Sequence, residues 1–268
     1  MGYYIEVEPG VKIYVRDIGE GKPVIFIHGW PLQHAMWEYQ FTQLPKYGYR
    51  CILVDLRGYG KSDAPWYGYD YNRMSDDVRV VMDTLHLEQV HLVGFSMGGA
   101  IAIRYMARHR GHKVCQLILA AAAAPSFVQR PGYPYGMPVD QVDELIRALT
   151  KDRPAALDNF GKNFFASEVT PAFRHWFNLV NLSASPHGTI AGSVALRDEV
   201  LAQDLPFIRT RTTIMHGLLD KICPFPFAAL MHQGIPHSKL IRFDRSGHGI
   251  WYDELDLFNR NLLYELQL

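Results

Sequence analysis

The sequence predicts an α/β fold: a mainly parallel central sheet covered by helices on both faces and interrupted by an inserted helical segment. Three observations carry this. Short apolar, β-branched runs alternate with helical patterns through the first half of the chain. That rhythm stops after Ala124 and resumes only near Arg211, too long a gap for a single crossover helix. The chain of 268 residues, 48% hydrophobic and 20% charged, also has ample material for a large core.

Taken in order, "YYIEVEPG" and "VKIYVRDIG" flank a turn at Pro9-Gly10 and read as an opening hairpin. "PVIFIHG" is continuously apolar and closed by Gly29, as expected of a strand covered on both faces. "RCILVDLRG", "VHLVGFS" and "KVCQLILAAA" repeat that form. Between them, "YNRMSDDVRVVMDTLHL" sets Met74, Val78, Val81, Met82 and Leu85 on one helical face. Residues 125–200 read as a helical cap inserted in a core formed by 1–124 and 201–268. The cap opens with the turn-rich "RPGYPYGMP", and "VDQVDELIRALT" then aligns Val139, Val142, Leu145, Ile146 and Leu149. Thr170-Pro171 and Ser185-Pro186 each set a capping residue before a proline suited to a first helical turn. "RTTIMHG" and "SKLIRFD" resume the sheet, and "WYDELDLFNRNLLYEL" closes the chain as one helix.

Charge excludes some functions. Lys+Arg and Asp+Glu both total 27, so no basic field exists to hold nucleic acid or an anionic membrane surface. The basic stretch "RYMARHRGHKV" closes a helix, where cations complement the dipole. Cys51, Cys115 and Cys223 cannot all pair and are not spaced for zinc, so they read as reduced thiols and no metal is expected. "MGYYIEVEPG" is too acidic for a signal peptide, and Glu6 stands where a myristoylation signal after Gly2 wants Ser or Thr. No apolar run reaches membrane-spanning length. A soluble, cytoplasmic protein is the expectation, with a homo-oligomer left open.

The chemistry points to Gly94-Phe95-Ser96-Met97-Gly98, a G-x-S-x-G pattern between a strand and a helix. A serine at such a sharp turn projects its hydroxyl above the sheet, and the glycines clear the space that side chains would block. A serine hydroxyl needs a base, and the base an orienting acid. Among twelve histidines, His248 in "RFDRSGHGIWYDE" falls in a loop after a late strand, and the chain order Ser, acid, His selects it. Asp220 follows the penultimate strand in "TTIMHGLLDKICP"; Asp244 is the rival, read as capping a turn, while Asp198 and Asp204 belong to the end of the cap. An oxyanion needs donors: the N–H of Met97 at the elbow and that of Trp30 in the loop after "PVIFIHG" are the candidates, with His28 shaping the loop.

With these residues in place, the chain resembles the α/β-hydrolase superfamily along essentially its whole length. Within it the chain is similar to the cofactor-free haloperoxidase and aryl esterase group. The match lies in "HGWP" (28–31), "MWEYQ" (36–40), "DLRGYGKSD" (55–63), "GFSMGG" (94–99), "HGLLDKICP" (216–224) and "SGHG" (246–249). The resemblance implies Ser96, Asp220 and His248 as catalytic residues, Trp30 and Met97 as the oxyanion hole, and no cofactor. It implies hydrolysis of carboxylic esters, with peracid formation from carboxylic acids and hydrogen peroxide in several members. Leu218-Leu219 departs from the more polar turn usual before the acid. A dehalogenase or epoxide hydrolase of this fold would need aspartate at the elbow, which Ser96 occupies.

The expected substrate is a small neutral ester. The alternatives are a C–C bond or amide hydrolase with the same triad, or a small-molecule receptor. Substrate-facing residues are sought in Phe127 after a strand end, in Phe160 and Phe164 at helical i, i+4 spacing, and in Ile222 and Phe225 after the acid. Pro31 restricts Trp30 to extended backbone and offers only a carbonyl, an acceptor for a small donor such as hydrogen peroxide.

Overall fold

A computed structural model describes residues 1–267. Its elements are β1 (Gly2–Glu8), β2 (Val11–Ile18), β3 (Lys22–Ile27), α1 (Glu38–Phe41), β4 (Tyr49–Val54), α2 (Tyr71–Thr84), β5 (Val90–Phe95), α3 (Met97–Arg108) and β6 (Val114–Ala120). Four helices follow: α4 (Val139–Lys151), α5 (Arg153–Gly161), α6 (Pro171–Leu182) and α7 (Pro186–Asp198). The chain then forms β7 (Arg211–Gly217), α8 (Pro226–Gly234), β8 (Lys239–Phe243), α9 (Ile250–Asp253) and α10 (Leu255–Gln267).

The strands form one 8-stranded sheet in the order β1-β2-β4-β3-β5-β6-β7-β8. β1 pairs antiparallel with β2, and β2 with β4; the pairings from β4 through β8 are parallel. β5 is buried along its whole length, including its one polar residue, His91, whose Nδ1 lies 2.8 Å from Gln116 Oε1 on β6. On α2, Met74, Val78, Val81 and Met82 are buried against the sheet, and Leu85 is half-buried just past the end.

The order places the chemistry. From β3 the chain moves outward to β4, then returns to lay β5 on the other side of β3. The carboxyl ends of β3 and β5 therefore lie side by side at the point where the order reverses, with Ile27 opposite Gly94. Ligands of open α/β sheets bind at such a crevice.

Between β6 and β7 the chain runs through α4 to α7, and the two sides of this stretch meet where the Leu201 N–H donates to the Pro125 carbonyl at 2.8 Å. Thr170 and Ser185 cap α6 and α7, their hydroxyls accepting from the N–H groups of Phe173 and Gly188. Two local readings are corrected. Phe160 and Phe164 do not share a helix: α5 ends at Gly161, and the N–H groups of Asn163 and Phe164 turn back to Phe160 and Gly161 three residues earlier. The last helix is also broken at Glu254, whose carboxylate accepts from the Ser246 hydroxyl (2.8 Å) and the Arg245 N–H (3.0 Å). Val139, expected on the buried face of α4, is exposed, whereas Val142 and Leu149 are buried.

Candidate active site

Ser96 ends β5 and starts α3 in a left-handed conformation, φ 52° and ψ −120°. An L-residue is strained there, so the surroundings must hold it. They do so through the backbone: Ser96 N–H donates to Ala120 (3.0 Å), and its carbonyl accepts from Ala100 (3.1 Å) and Ala123 (3.0 Å). A Cβ on Gly94 would lie 2.5 Å from the Gly98 carbonyl oxygen, and one on Gly98 would strike the carbonyls of Ile27 and His28. Close approach of β3, β5 and α3 thus excludes side chains at both positions.

His248 Nε2 stands 2.9 Å from Ser96 Oγ, and His248 Nδ1 stands 2.8 Å from Asp220 Oδ2. An ionised carboxylate only accepts, so Nδ1 carries the proton and Nε2 is left as an acceptor for the serine hydroxyl. The other oxygen of Asp220 accepts the N–H groups of Ile222 and Cys223, both at 2.8 Å. Those bonds fix the carboxylate in the turn after β7. The rings of Phe95 (4.8 Å) and Phe164 (4.9 Å) flank the imidazole of His248. The structure therefore joins the three expected residues in one relay, and Ser96 is only 5% exposed.

Asp244, the rival acid, lies outside this relay. Its side chain is 60% exposed and pairs with Arg242 instead of capping a turn. Leu218 and Leu219, the apolar departure before the acid, point outward. Their N–H groups donate to Phe243 and Ser246, so backbone bonds to the end of β8 shape this turn.

Trp30 follows β3 and Met97 follows β5, the two strands whose ends lie side by side at the switch point described above. Among the described residues, neither of their backbone N–H groups donates to a protein acceptor. Trp30 is followed by Pro31 in a cis peptide bond, and the Pro31 carbonyl accepts no hydrogen bond from a described residue. His28, as expected, shapes this loop. Its Nε2 accepts from Leu56 N–H (3.0 Å) while its Nδ1 faces Gly29 O (2.9 Å). Burial pushes its pKa down to about 4, against the pull of Asp55, so the ring is neutral.

The insertion reaches the same place. Phe160 packs edge-on against Trp30 with centroids 4.9 Å apart. It also lines a groove of about 340 Å³ between α4 and α5, with Met137, Leu145 and Ala156. Phe164 is fully buried between His248 and Phe177 and so packs the site from behind. Phe127 is buried where the chain leaves the sheet, Ile222 is buried beside the acid, and half-buried Phe225 faces His216 at 6.1 Å. Neither the groove between α4 and α5, which meets the site only through Phe160, nor the larger surface cavities, one of about 900 Å³ at Arg104 and Arg209 and one of about 830 Å³ at Trp66 and His187, is lined by a relay residue.

Two neighbours of the relay escape sequence reasoning. His216 Nε2 lies 2.7 Å from the Cys223 carbonyl and 3.5 Å from Asp220 Oδ2; burial lowers its pKa, which leaves it a neutral donor. Burial, reinforced by the charge of Asp220, raises the Cys223 thiol well above its ordinary value and keeps it protonated. The only sequence signal was proximity to Asp220 in "HGLLDKIC". Among the described residues, no three His, Cys, Asp or Glu side chains converge as metal ligands. No helix among them is long and apolar enough to cross a membrane.

Comparison with known proteins agrees with this geometry. The family model described as alpha/beta hydrolase fold matches residues 22–255. AB hydrolase superfamily protein YisY of Bacillus subtilis is 54% identical over 97% of both chains. Among solved structures, an esterase from Exiguobacterium antarcticum superposes with a TM-score of 0.99 at 50% identity, covering 100% of each chain. A bromoperoxidase from Bacillus anthracis does so with a TM-score of 0.96 at 34% identity, again covering 100% of each. The sheet order, the serine at its switch point and these matches lead to one conclusion: the chain belongs to the α/β-hydrolase family.

Proposed function

We propose that the chain is a serine carboxylesterase acting on small neutral esters, with Ser96 as nucleophile, His248 as general base and acid, and Asp220 as the orienting acid. The continuous relay, 2.9 Å from Ser96 to His248 and 2.8 Å onward to Asp220, carries this reading. In it, Ser96 Oγ attacks the ester carbonyl as His248 Nε2 takes the hydroxyl proton. The Asp220 carboxylate faces the resulting imidazolium, and the free N–H groups of Trp30 and Met97 receive the oxyanion. Losing one such donor typically costs about 3 to 4 kcal/mol of transition-state stabilisation. The tetrahedral species then collapses. The C–O bond to the alcohol breaks, His248 returns its proton to the departing oxygen, and an acyl group remains on Ser96. Water, deprotonated by His248, attacks the acyl carbonyl, and release of the acid restores the serine.

Residues 125–200 act here as a cap, with Phe160 beside Trp30 limiting the acyl chain. The esterase neighbour supports the ester assignment. A perhydrolytic side activity is favoured by Pro31, whose unpartnered carbonyl follows the oxyanion donor, and by the bromoperoxidase neighbour. On this reading hydrogen peroxide replaces water in deacylation and leaves with the acyl group as a peracid.

The test is hydrolysis of p-nitrophenyl acetate by wild type and Ser96→Ala, followed by bromination of monochlorodimedone with acetate, bromide and peroxide under a chelator. Ester turnover should vanish in Ser96→Ala. Wild-type rates in that variant would overturn the assignment. Perhydrolysis should fall in Pro31→Leu and survive the chelator. An unchanged rate in Pro31→Leu would remove the role given to Pro31, and quenching by the chelator would remove the metal-free side activity, the esterase assignment standing in both cases.

A further inference from the structure

The insertion touches Trp30 through its side chain, while the proposed chemistry uses its backbone. The Trp30 Nε1–H donates to the Thr189 carbonyl in α7 at 2.8 Å, a buried bond. The Ser193 hydroxyl, one turn further along the same helix, donates to the same carbonyl at 3.0 Å. Next to it, Tyr59 hydroxyl donates to Gly188 at 3.0 Å. The helix can lie this close because its inner face is bare. A Cβ on Gly188 would meet the backbone of Gly58 at 3.0 Å, and one on Gly192 would strike the Tyr59 hydroxyl and stand 2.9 Å from Trp30 Cδ1. Phe160 closes the indole edge-on, at 4.9 Å and 85°.

We infer that the Trp30 indole is a latch by which α7 positions the oxyanion loop, making Thr189 and Gly192 positioning residues for the reaction. This rests on the serine esterase reading above. A backbone N–H must point at the oxyanion within a fraction of an ångström, and a loop at a strand end has few means of its own to hold that aim. Here the means is tertiary. The indole is anchored at its nitrogen by α7 and at its edge by α5, while the backbone N–H of Trp30 has no acceptor among the described residues. Seating of the insertion then sets the rate of acyl transfer as well as the choice of acyl chain.

The experiment compares wild type, Trp30→Phe, Gly192→Ala and Gly192→Ala/Tyr59→Phe. Read-outs are kcat and KM on p-nitrophenyl acetate, inhibition by phenylboronic acid, and the denaturant midpoint. Trp30→Phe keeps an aromatic ring and removes the anchor, so kcat should fall about 10- to 100-fold with KM within about twofold. The boronate, whose adduct with Ser96 carries the tetrahedral oxygen, should weaken by the same factor. Gly192→Ala should behave alike and also lose stability. Adding Tyr59→Phe removes the clash with the hydroxyl and also its bond to Gly188, so it should recover part of the midpoint while kcat stays low, because the contact with Trp30 persists.

An unchanged kcat in Trp30→Phe, or a kcat loss with no weakening of the boronate, would overturn the latch. Recovery of kcat together with stability in the double variant would do the same. Ser96→Ala measured alongside separates the two levels: if it retains wild-type turnover the esterase reading fails first, and if it is inactive the latch stands or falls alone. Where Gly192→Ala fails to fold, Trp30→Phe decides.

Discussion

Ser96 is held by a few residues of its own strand, helix and neighbouring strand, whereas the insertion reaches the site across the chain. The bond from Trp30 to Thr189 spans 159 residues, and Phe164 meets His248 from a loop with no regular structure around it. The elbow is specified by small residues at fixed spacing, because only glycine lets β3, β5 and α3 approach so closely. The insertion is specified by side-chain packing, which tolerates many sequences and announces itself weakly in any one. On the function proposed above, the difference teaches where to look for each part of it: chemistry in the tightly constrained turn, selectivity and aim in the packed layer beside it.

The largest effect should lie in the relay. Asp220→Asn should lower kcat/KM on p-nitrophenyl acetate by about 10⁴-fold, since the amide favours the wrong tautomer of His248 and no longer faces its positive form with a charge. Asp244→Asn should change it less than about twofold, the Asp244 side chain being exposed and paired only with Arg242. A reversal of the two would move the orienting role to Asp244 and break the contrast at its core.

Within the insertion, two phenylalanines four residues apart should separate. Phe164→Ala removes a fully buried ring from between His248 and Phe177 and should cost about 3 to 5 kcal/mol in chemical denaturation. Phe160→Ala removes a half-buried ring that lines the groove beside Trp30, so its stability cost should be smaller. Its signature should be a preference moved toward longer acyl chains across a p-nitrophenyl ester series. If Phe164→Ala shifted the profile and Phe160→Ala left it alone, the roles assigned by burial would be wrong.

This pair also marks the limit of legibility. The elbow and the core strands could be read from residue types and spacing, since each rests on local backbone demands, and the chain order serine, acid, histidine singled out the residues that the structure brings to 2.8 and 2.9 Å of one another. The caps Thr170 and Ser185 were legible for the same reason. What could not be read was tertiary. The i, i+4 spacing of Phe160 and Phe164 is only compatible with one helix, and the chain ends α5 between them at Gly161. Nothing local says that Glu254 breaks the last helix to bond Ser246, or that His216 stands beside the acid. Likewise, Gly192 reads as a poor helix residue until Tyr59 and Trp30 are seen against it.

A subtler effect should come from His28 under the oxyanion loop. Burial holds its pKa at about 4, below the ordinary histidine value of 6.5. Between those values the unfolded chain binds a proton that the folded chain refuses, so stability falls as pH drops through that window and is intact above it. The expected loss, on the order of 3 kcal/mol, should appear as a lower urea midpoint at about pH 4.5 than at about pH 7.5. His28→Gln should be less stable at neutral pH and show a flatter slope through the window. An unaltered slope would place the acid sensitivity elsewhere, with the buried His216 next in line.

The central claim is that Ser96 carries the acyl group, and trapping that group tests it most directly. Wild type turning over p-nitrophenyl acetate is quenched in acid, digested and read by peptide mass spectrometry, with His248→Ala treated in parallel. Ser96 Oγ stands 2.9 Å from His248 Nε2, so on the proposed mechanism one acetyl group should appear on the peptide containing Ser96. The His248→Ala variant, left without a base, should show that peptide unmodified. Sustained wild-type turnover with the acetyl group on another residue, or equal acetylation of Ser96 in both proteins, would contradict the account.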